Sequence, residues 1–144
     1  MTEDADTLYR EVILEHARHP RNAAPLEHPH RRARAVNPLC GDELELTLTM
    51  DGEAIREIGI QVRGCAIAQA AASLMSKAVK GIALSEAQAL GRAFADHMHG
   101  DETSLPAELD GLRPLEAVKQ HRSRINCTLL AWQALGEAAP LVEK

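Results

Sequence analysis

Three cysteines and one aspartate are the residues of this 144-residue chain best suited to do chemistry. Cys40 and Asp42 share the turn Asn37-Pro38-Leu39-Cys40-Gly41-Asp42, Cys65 follows Gly64, and Cys127 comes shortly after Arg124. Thiolate is the form of cysteine that binds metal and attacks sulfur. Three thiolates and one carboxylate make a tetrahedral donor set for Zn²⁺, although four Cys/His ligands are commoner in structural sites. The carboxylate is the harder and weaker ligand, so such a set suits exchange better than permanent stapling. The spacing adds little: there is no C-x-x-C or H-x-x-x-H, and cysteines 25 and 62 residues apart match no general zinc motif. The alternative, on the residues alone, is that Cys65 and Cys127 are small buried side chains on helices.

The elements that would carry these residues are legible. Glu43 to Met50 alternates polar and apolar without a break, which predicts a strand with one buried face. Asp51-Gly52 is a preferred two-residue hairpin turn. Ile55 to Arg63 returns as a second strand with Ile58, Ile60 and Val62 toward the core. In an antiparallel pair the start of one strand lies beside the end of the other. Cys40, Asp42 and Cys65 are therefore expected at one end of the sheet. Cys65 also opens a helix over 66–80, where unpaired backbone N–H groups favour an anionic sulfur. Gly41 and Gly64 each remove a side chain beside a cysteine, leaving room for a ligand or partner to approach. Cys127 falls in the first turn of a final helix over 124–138, and local rules do not place it relative to the others.

Around this hairpin, Thr7 to His19 reads as an amphipathic helix that Pro20 ends. Arg32 to Val36 reads as a short edge strand. Ser85 with Gln88 reads as a capping box for a helix running to about His99, with Leu90 and Phe94 on its buried face. Gly100 to Pro106 reads as a polar loop, and Leu112, Leu115 and Val118 as a short helix. Strands followed by helices predict an α+β fold, a small antiparallel three-stranded sheet with helices packed on one face, over a single domain, 1–144.

Composition narrows the function. Hydrophobic residues make up 45% of the chain, enough for one core, but there is only one each of Phe, Tyr and Trp. Alanine and aliphatic side chains must fill that core, with helices packed closely on alanine. A formal net charge of −5 does not favour general nucleic-acid binding. Arg31, Arg32 and Arg34 have no interleaved aromatics and read as a solvated edge. No apolar stretch is long enough to cross a bilayer. Met1 to Asp6 lacks the basic start and apolar run of a secretory signal, so a cytoplasmic protein with reduced thiols is expected. The seven histidines read mostly as solvated surface residues. No nucleotide-binding glycine loop and no G-x-S-x-G occur.

Three motifs in order carry a family resemblance: Asn37-Pro-x-Cys40-Gly-Asp42, Gly64-Cys65-Ala-Ile-Ala, and Arg124-Ile-x-Cys127 followed by Leu129 and Trp132. With Tyr9-Arg10 and His19-Pro20-Arg21-Asn22, they resemble the iron–sulfur cluster assembly family of IscU, SufU and the NifU N-terminal domain. The long segment between the second and third cysteines, with extra residues around Asp96 to Leu115, resembles the SufU branch. IscU proteins carry Leu-Pro-Pro-Val-Lys and a histidine just before the third cysteine, where this chain reads Arg122-Ser123-Arg124-Ile125-Asn126. It departs from the usual SufU pattern at Arg122 and Asn126, and from the family's Asn-x-Gly after the first helix at Asn22-Ala23-Ala24.

The resemblance implies a SufU/IscU-like fold and a Zn²⁺ ion held by Cys40, Asp42, Cys65 and Cys127. It implies a SufS-type cysteine desulfurase as partner, persulfide transfer to Cys40, Arg124 as the residue that steadies the thiolate or the incoming sulfur, and downstream SUF cluster-assembly proteins. Two other functions use the same residues: a scaffold that assembles and transfers a [2Fe–2S] or [4Fe–4S] cluster, and a zinc-stabilised adaptor without sulfur chemistry.

Overall fold

A computed structural model describes residues 2–38, 41–100 and 105–140, with side chains between residues 10 and 138. Helix α1 (Thr2–Arg18) precedes strands β1 (Arg31–Asn37), β2 (Asp42–Asp51) and β3 (Ala54–Arg63). Helices α2 (Ala66–Val79) and α3 (Leu84–Met98), a 3₁₀ segment (Ala107–Gln120), helix α4 (Arg122–Gly136) and a two-residue strand β4 (Ala139–Pro140) follow. The sheet order is β3-β2-β1-β4, antiparallel at each pairing. The three long strands are those expected, and β4 adds a short fourth against Arg31 and Arg32, so β1 is not the edge.

Alternation along β2 decides which face is buried. Leu44, Leu46 and Leu48 are buried and stand opposite Val62, Ile60 and Ile58 on β3, with Ala33 and Ala35 of β1 beside them. Helix α2 packs against this layer with Ala68, Ala70, Ala71 and Ala72 all buried, and it touches α1, α4 and β3. Alanine removes the bulk that would hold neighbouring helices apart, the packing that the low aromatic content requires. The turn between β2 and β3 is displaced by one residue from the expected Asp51-Gly52. Asp51 pairs with Ala54, and Gly52, at φ 61°, is the first of two central residues, Gly52 and Glu53. A bulge between Thr49 and Met50 takes up the shift.

The opposite face of the sheet is not simply solvated, because the connection from α1 to β1 crosses it. Leu26 N–H donates to Thr47 Oγ1 at 3.1 Å, and Thr47 Oγ1 donates to Gly59 O at 3.2 Å. Ile60 N–H at the β3 edge donates to Asn22 O at 2.8 Å. A Cβ on Gly59 would overlap Ala24 O and press on Thr47 Oγ1.

Helix starts and stops show where local signals lose to tertiary ones. Ser85 and Gln88 do not form the expected capping box: Ala83 is the N-cap of α3, without a side-chain cap. Backbone bonds from Leu84 N–H to Glu53 O and from Ile55 N–H to Ile82 O fix that start instead, and Gln88 Nε2 donates to Leu135 O at 3.0 Å. Leu109, Leu112, Leu115 and Val118 recur every three residues and are all buried. That strict period matches the three residues per turn of a 3₁₀ helix, which lines them up on one side. Residues 101–104 of the expected polar loop, and Leu39 and Cys40, lie outside the described residues.

His16 and His97 are buried, against the expectation of solvated histidines, because both face inward and meet a polar partner. His97 Nε2 lies 2.6 Å from Glu116 Oε2, tying α3 to the 3₁₀ segment. His16 Nδ1 lies 2.7 Å from Ser73 Oγ on α2, which also accepts Arg21 N–H at 2.8 Å. Since Arg21 occupies an acceptor position on that hydroxyl, its own hydrogen can point to an unprotonated Nδ1. Burial, and then the charges of Arg21 and Lys77, lower the His16 pKa from its ordinary 6.5, against a smaller opposing effect of Glu15.

Two outcomes follow. A His that is harder to protonate when folded binds more protons in the unfolded chain, so this contribution is complete above pH 6.5 and falls as pH drops below it. Urea midpoints measured from pH 7.5 to about pH 5 should therefore decline more steeply in the native sequence than in His16→Gln. Gly59→Ala should lower stability by roughly 1–3 kcal/mol through overpacking against Ala24, read from the same urea titration at pH 7.5.

Candidate metal centre

The hairpin register brings Asp42 and Cys65 together. Glu43 pairs with Arg63, so Asp42 at the start of β2 and the Gly64-Cys65 step after β3 stand side by side at one end of the sheet. On the other side Asp42 is in register with Asn37 of β1. Gly41 N–H donates to Asn37 O at 2.8 Å, and Gly41 takes φ 73°, a left-handed conformation that glycine adopts without cost. Cys40 lies outside the described residues, between Pro38 and Gly41, whose positions belong to this same end.

Asp42 is 2% exposed. Its Oδ1 accepts Cys65 N–H at 3.2 Å, and its Oδ2 lies 3.9 Å from Cys65 Sγ. Cys65 is half-buried and is the N-cap of α2, where its sulfur accepts Ala68 N–H at 3.5 Å. The side chain of this cysteine thus does what Ser or Asp does at other helix starts. The expected room beside Gly64 is taken by Asp42 itself, because a Cβ there would meet the carboxylate.

Cys127, the residue that local rules left unplaced, is brought in by helix packing. Helix α4 lies against α2, β1 and β2, and Cys127 in its second turn is 1% exposed. The ligand atoms of Asp42, Cys65 and Cys127 all lie within 4.8 Å of one another. Arg124, three residues before Cys127 and so on the same side of α4, hydrogen-bonds both sulfurs. The charge of Cys65 first, and of Cys127 second, raises the Arg124 pKa above its ordinary value. Its guanidinium is exposed, so it forms the outer rim of the cluster.

The donor set suits a borderline-soft divalent ion. In a tetrahedral zinc site with Zn–S of about 2.3 Å and Zn–O of about 2.0–2.2 Å, a sulfur and an oxygen ligand stand roughly 3.5–3.7 Å apart, and the Cys65–Asp42 separation of 3.9 Å is close to that. A carboxylate withdrawn from water is ordinarily paired with a cation or a metal. His97 and His99 contribute nothing to this cluster, and among the described residues no other group of three or more such ligands converges. The sequence did not reveal the bond between Asp42 and the Cys65 peptide or the fit of Gly64, since both depend on the closed hairpin end.

Residues 8–140 match the family described as the NifU-like N terminal domain. The zinc-dependent sulfurtransferase SufU of Bacillus subtilis (strain 168) is 36% identical over 130 residues, spanning 90% of this chain and 88% of that protein. The iron–sulfur cluster assembly scaffold protein IscU of Streptococcus pyogenes serotype M1 is 35% identical over 131 residues, 91% of this chain and 82% of that one. Among solved structures, a putative iron–sulfur cluster assembly scaffold protein for the SUF system from Fervidobacterium islandicum AW-1 superposes with a TM-score of 0.81 at 27% identity. That superposition covers 89% of this chain and 93% of the other. With its hairpin, its helices and its thiol–carboxylate cluster arranged in this way, the chain belongs to the NifU-like N-terminal domain family.

Proposed function

We propose that this protein, acting as a single domain over 1–144, serves iron–sulfur cluster assembly as a zinc-dependent sulfur acceptor. It takes persulfide sulfur from a SufS-type cysteine desulfurase through Cys40. The reading is carried by the convergence of one buried carboxylate and two sulfurs within 4.8 Å; Cys40, two positions before Asp42 in the sequence, is the fourth ligand we assign. Similarity to a protein named a zinc-dependent sulfurtransferase supports it. No helix among the described residues is long and apolar enough to cross a membrane, and we assign the activity to the cytoplasm. Downstream SUF proteins would receive the sulfur.

The chemistry is thiol–persulfide exchange. The Cys40 thiolate attacks the outer sulfur of the desulfurase persulfide, forming a new S–S bond. The S–S bond to the desulfurase cysteine breaks, and that cysteine leaves as a thiolate and takes up a proton, so no separate oxidant or reductant is consumed. Bound zinc keeps the thiols deprotonated and shielded from oxidation. Arg124, hydrogen-bonded to two sulfurs and open to solvent, steadies the anionic sulfur and the one arriving. A second reading, a scaffold that builds a cluster on the same residues, is favoured by the relatives named as scaffolds.

Aerobically purified protein should contain one zinc per chain that iron does not displace. A cluster that forms on it and moves intact to an apo acceptor would favour the scaffold instead. In a desulfurase turnover assay, Cys40→Ala should abolish stimulation while the fold is retained, and retained stimulation would point to an adaptor without sulfur chemistry. Cys65→Ala and Cys127→Ala should lose zinc and lower the melting temperature together, because binding energy at such a site is folding energy.

A further inference from the structure

Gly64 has no side chain at the one place where a side chain would strike the Asp42 carboxylate. A Cβ there would lie 2.5 Å from Asp42 Oδ1, 2.8 Å from Cγ and 3.1 Å from Cβ. Side-chain carbons do not come that close to other heavy atoms, so one residue would have to move. Asp42 has little freedom to do so. It is buried, its backbone pairs with Asn37 of β1 at the sheet end, and turning its carboxylate away breaks the Cys65 N–H bond to Oδ1. Backbone conformation is not what calls for glycine. The positive-φ glycines are Gly41, Gly52, Gly81 and Gly100, and Gly64 is not among them. The requirement at Gly64 is for space.

We infer that Gly64 is a positioning residue for the metal centre, acting through Asp42; the inference rests on the zinc reading above. The gap at Gly64 leaves the space beside residue 64 to the carboxylate. Oδ1 is committed to Cys65 N–H, Oδ2 lies 3.9 Å from the Cys65 sulfur, and the carboxylate stays within 4.8 Å of the Cys127 sulfur. Asp42 then offers a single oxygen from a fixed direction. This opposes the ready exchange expected of a carboxylate ligand and leaves Asp42 a seated member of the set.

The test is a double-mutant cycle on the full chain: native, Gly64→Ala, Asp42→Ala and the double variant. Zn²⁺ affinity is read by chelator competition, and ligand geometry by the visible absorption bands of bound Co²⁺. Gly64→Ala should weaken zinc binding roughly ten- to a hundredfold, the usual cost of losing a group that orients a ligand. Its Co²⁺ bands should move toward those of Asp42→Ala, and the double variant should bind no more weakly than Asp42→Ala alone. Native affinity and bands in Gly64→Ala would overturn the inference. So would independent, additive losses, which would mean that Gly64 acts on the fold and not through Asp42. Where Gly64→Ala alone fails to fold, recovery of folding in the double variant supports the inference and continued failure overturns it. A native protein that binds neither metal overturns the zinc reading itself, and the inference with it.

Discussion

The hydrogen bond from Cys65 N–H to Asp42 Oδ1 joins the start of β2 to the start of α2, and the arrangement of the cluster depends on it. It closes the open end of the hairpin, where the last strand pairing gives way to helix. It satisfies one backbone donor at a helix start that has no acidic residue in its first turn. It also fixes a buried carboxylate that would otherwise need a partner elsewhere. The same peptide presents the Cys65 sulfur to the Ala68 N–H, so the strand end, the helix start and the two ligand atoms are set by one local geometry.

Helix α2 carries this geometry into the core. Its alanine face allows α4 to come close enough for Cys127 to reach the sulfur of Cys65 and the carboxylate of Asp42. Larger side chains on α2 would hold α4 away, and the cluster would lose a ligand without any change to the ligands themselves. On its far side, α2 is tied to α1 through His16 and Ser73 and to the α1–β1 connection through Asn22 and Ser76, with Asn22 Nδ2 donating to Ser76 Oγ at 2.9 Å. The cluster thus sits at the end of a helix anchored by polar contacts along one side and packed on apolar ones along the other.

The charges divide the site into an inner and an outer part. Asp42 and Cys127 are buried, Cys65 is half-buried, and Arg124 faces solvent while bonding both sulfurs. In the proposed function this cation would offset negative charge on the sulfurs and attract an anionic sulfur without closing the way in. Such an arrangement suits a protein that must hold a metal and still exchange sulfur with a partner.

Much of this was legible in the residues. The unbroken alternation from Glu43 to Met50, the turn chemistry at Gly52 and the helix after Cys65 placed Asp42 and Cys65 at one end of the sheet, because strand pairing and pleat period are local rules. The motifs around Cys40, Cys65 and Cys127 carried the family. Other features could not be read locally. Ser85 and Gln88 have the composition of a capping box, yet backbone bonds to the hairpin start that helix two residues earlier than a cap at Ser85 would. His16 and His97 look like surface residues until the elements that bury them are in place. Cys127 is 62 residues from Cys65, and only the packing of α4 on α2 brings their sulfurs together. The sequence by itself determined which residues could bind metal and which elements bear them. Family resemblance assigned Cys127 to the set, but only the tertiary structure showed how it reaches the others and that Asp42 is locked to the Cys65 peptide, because both depend on distances between elements that no local pattern encodes.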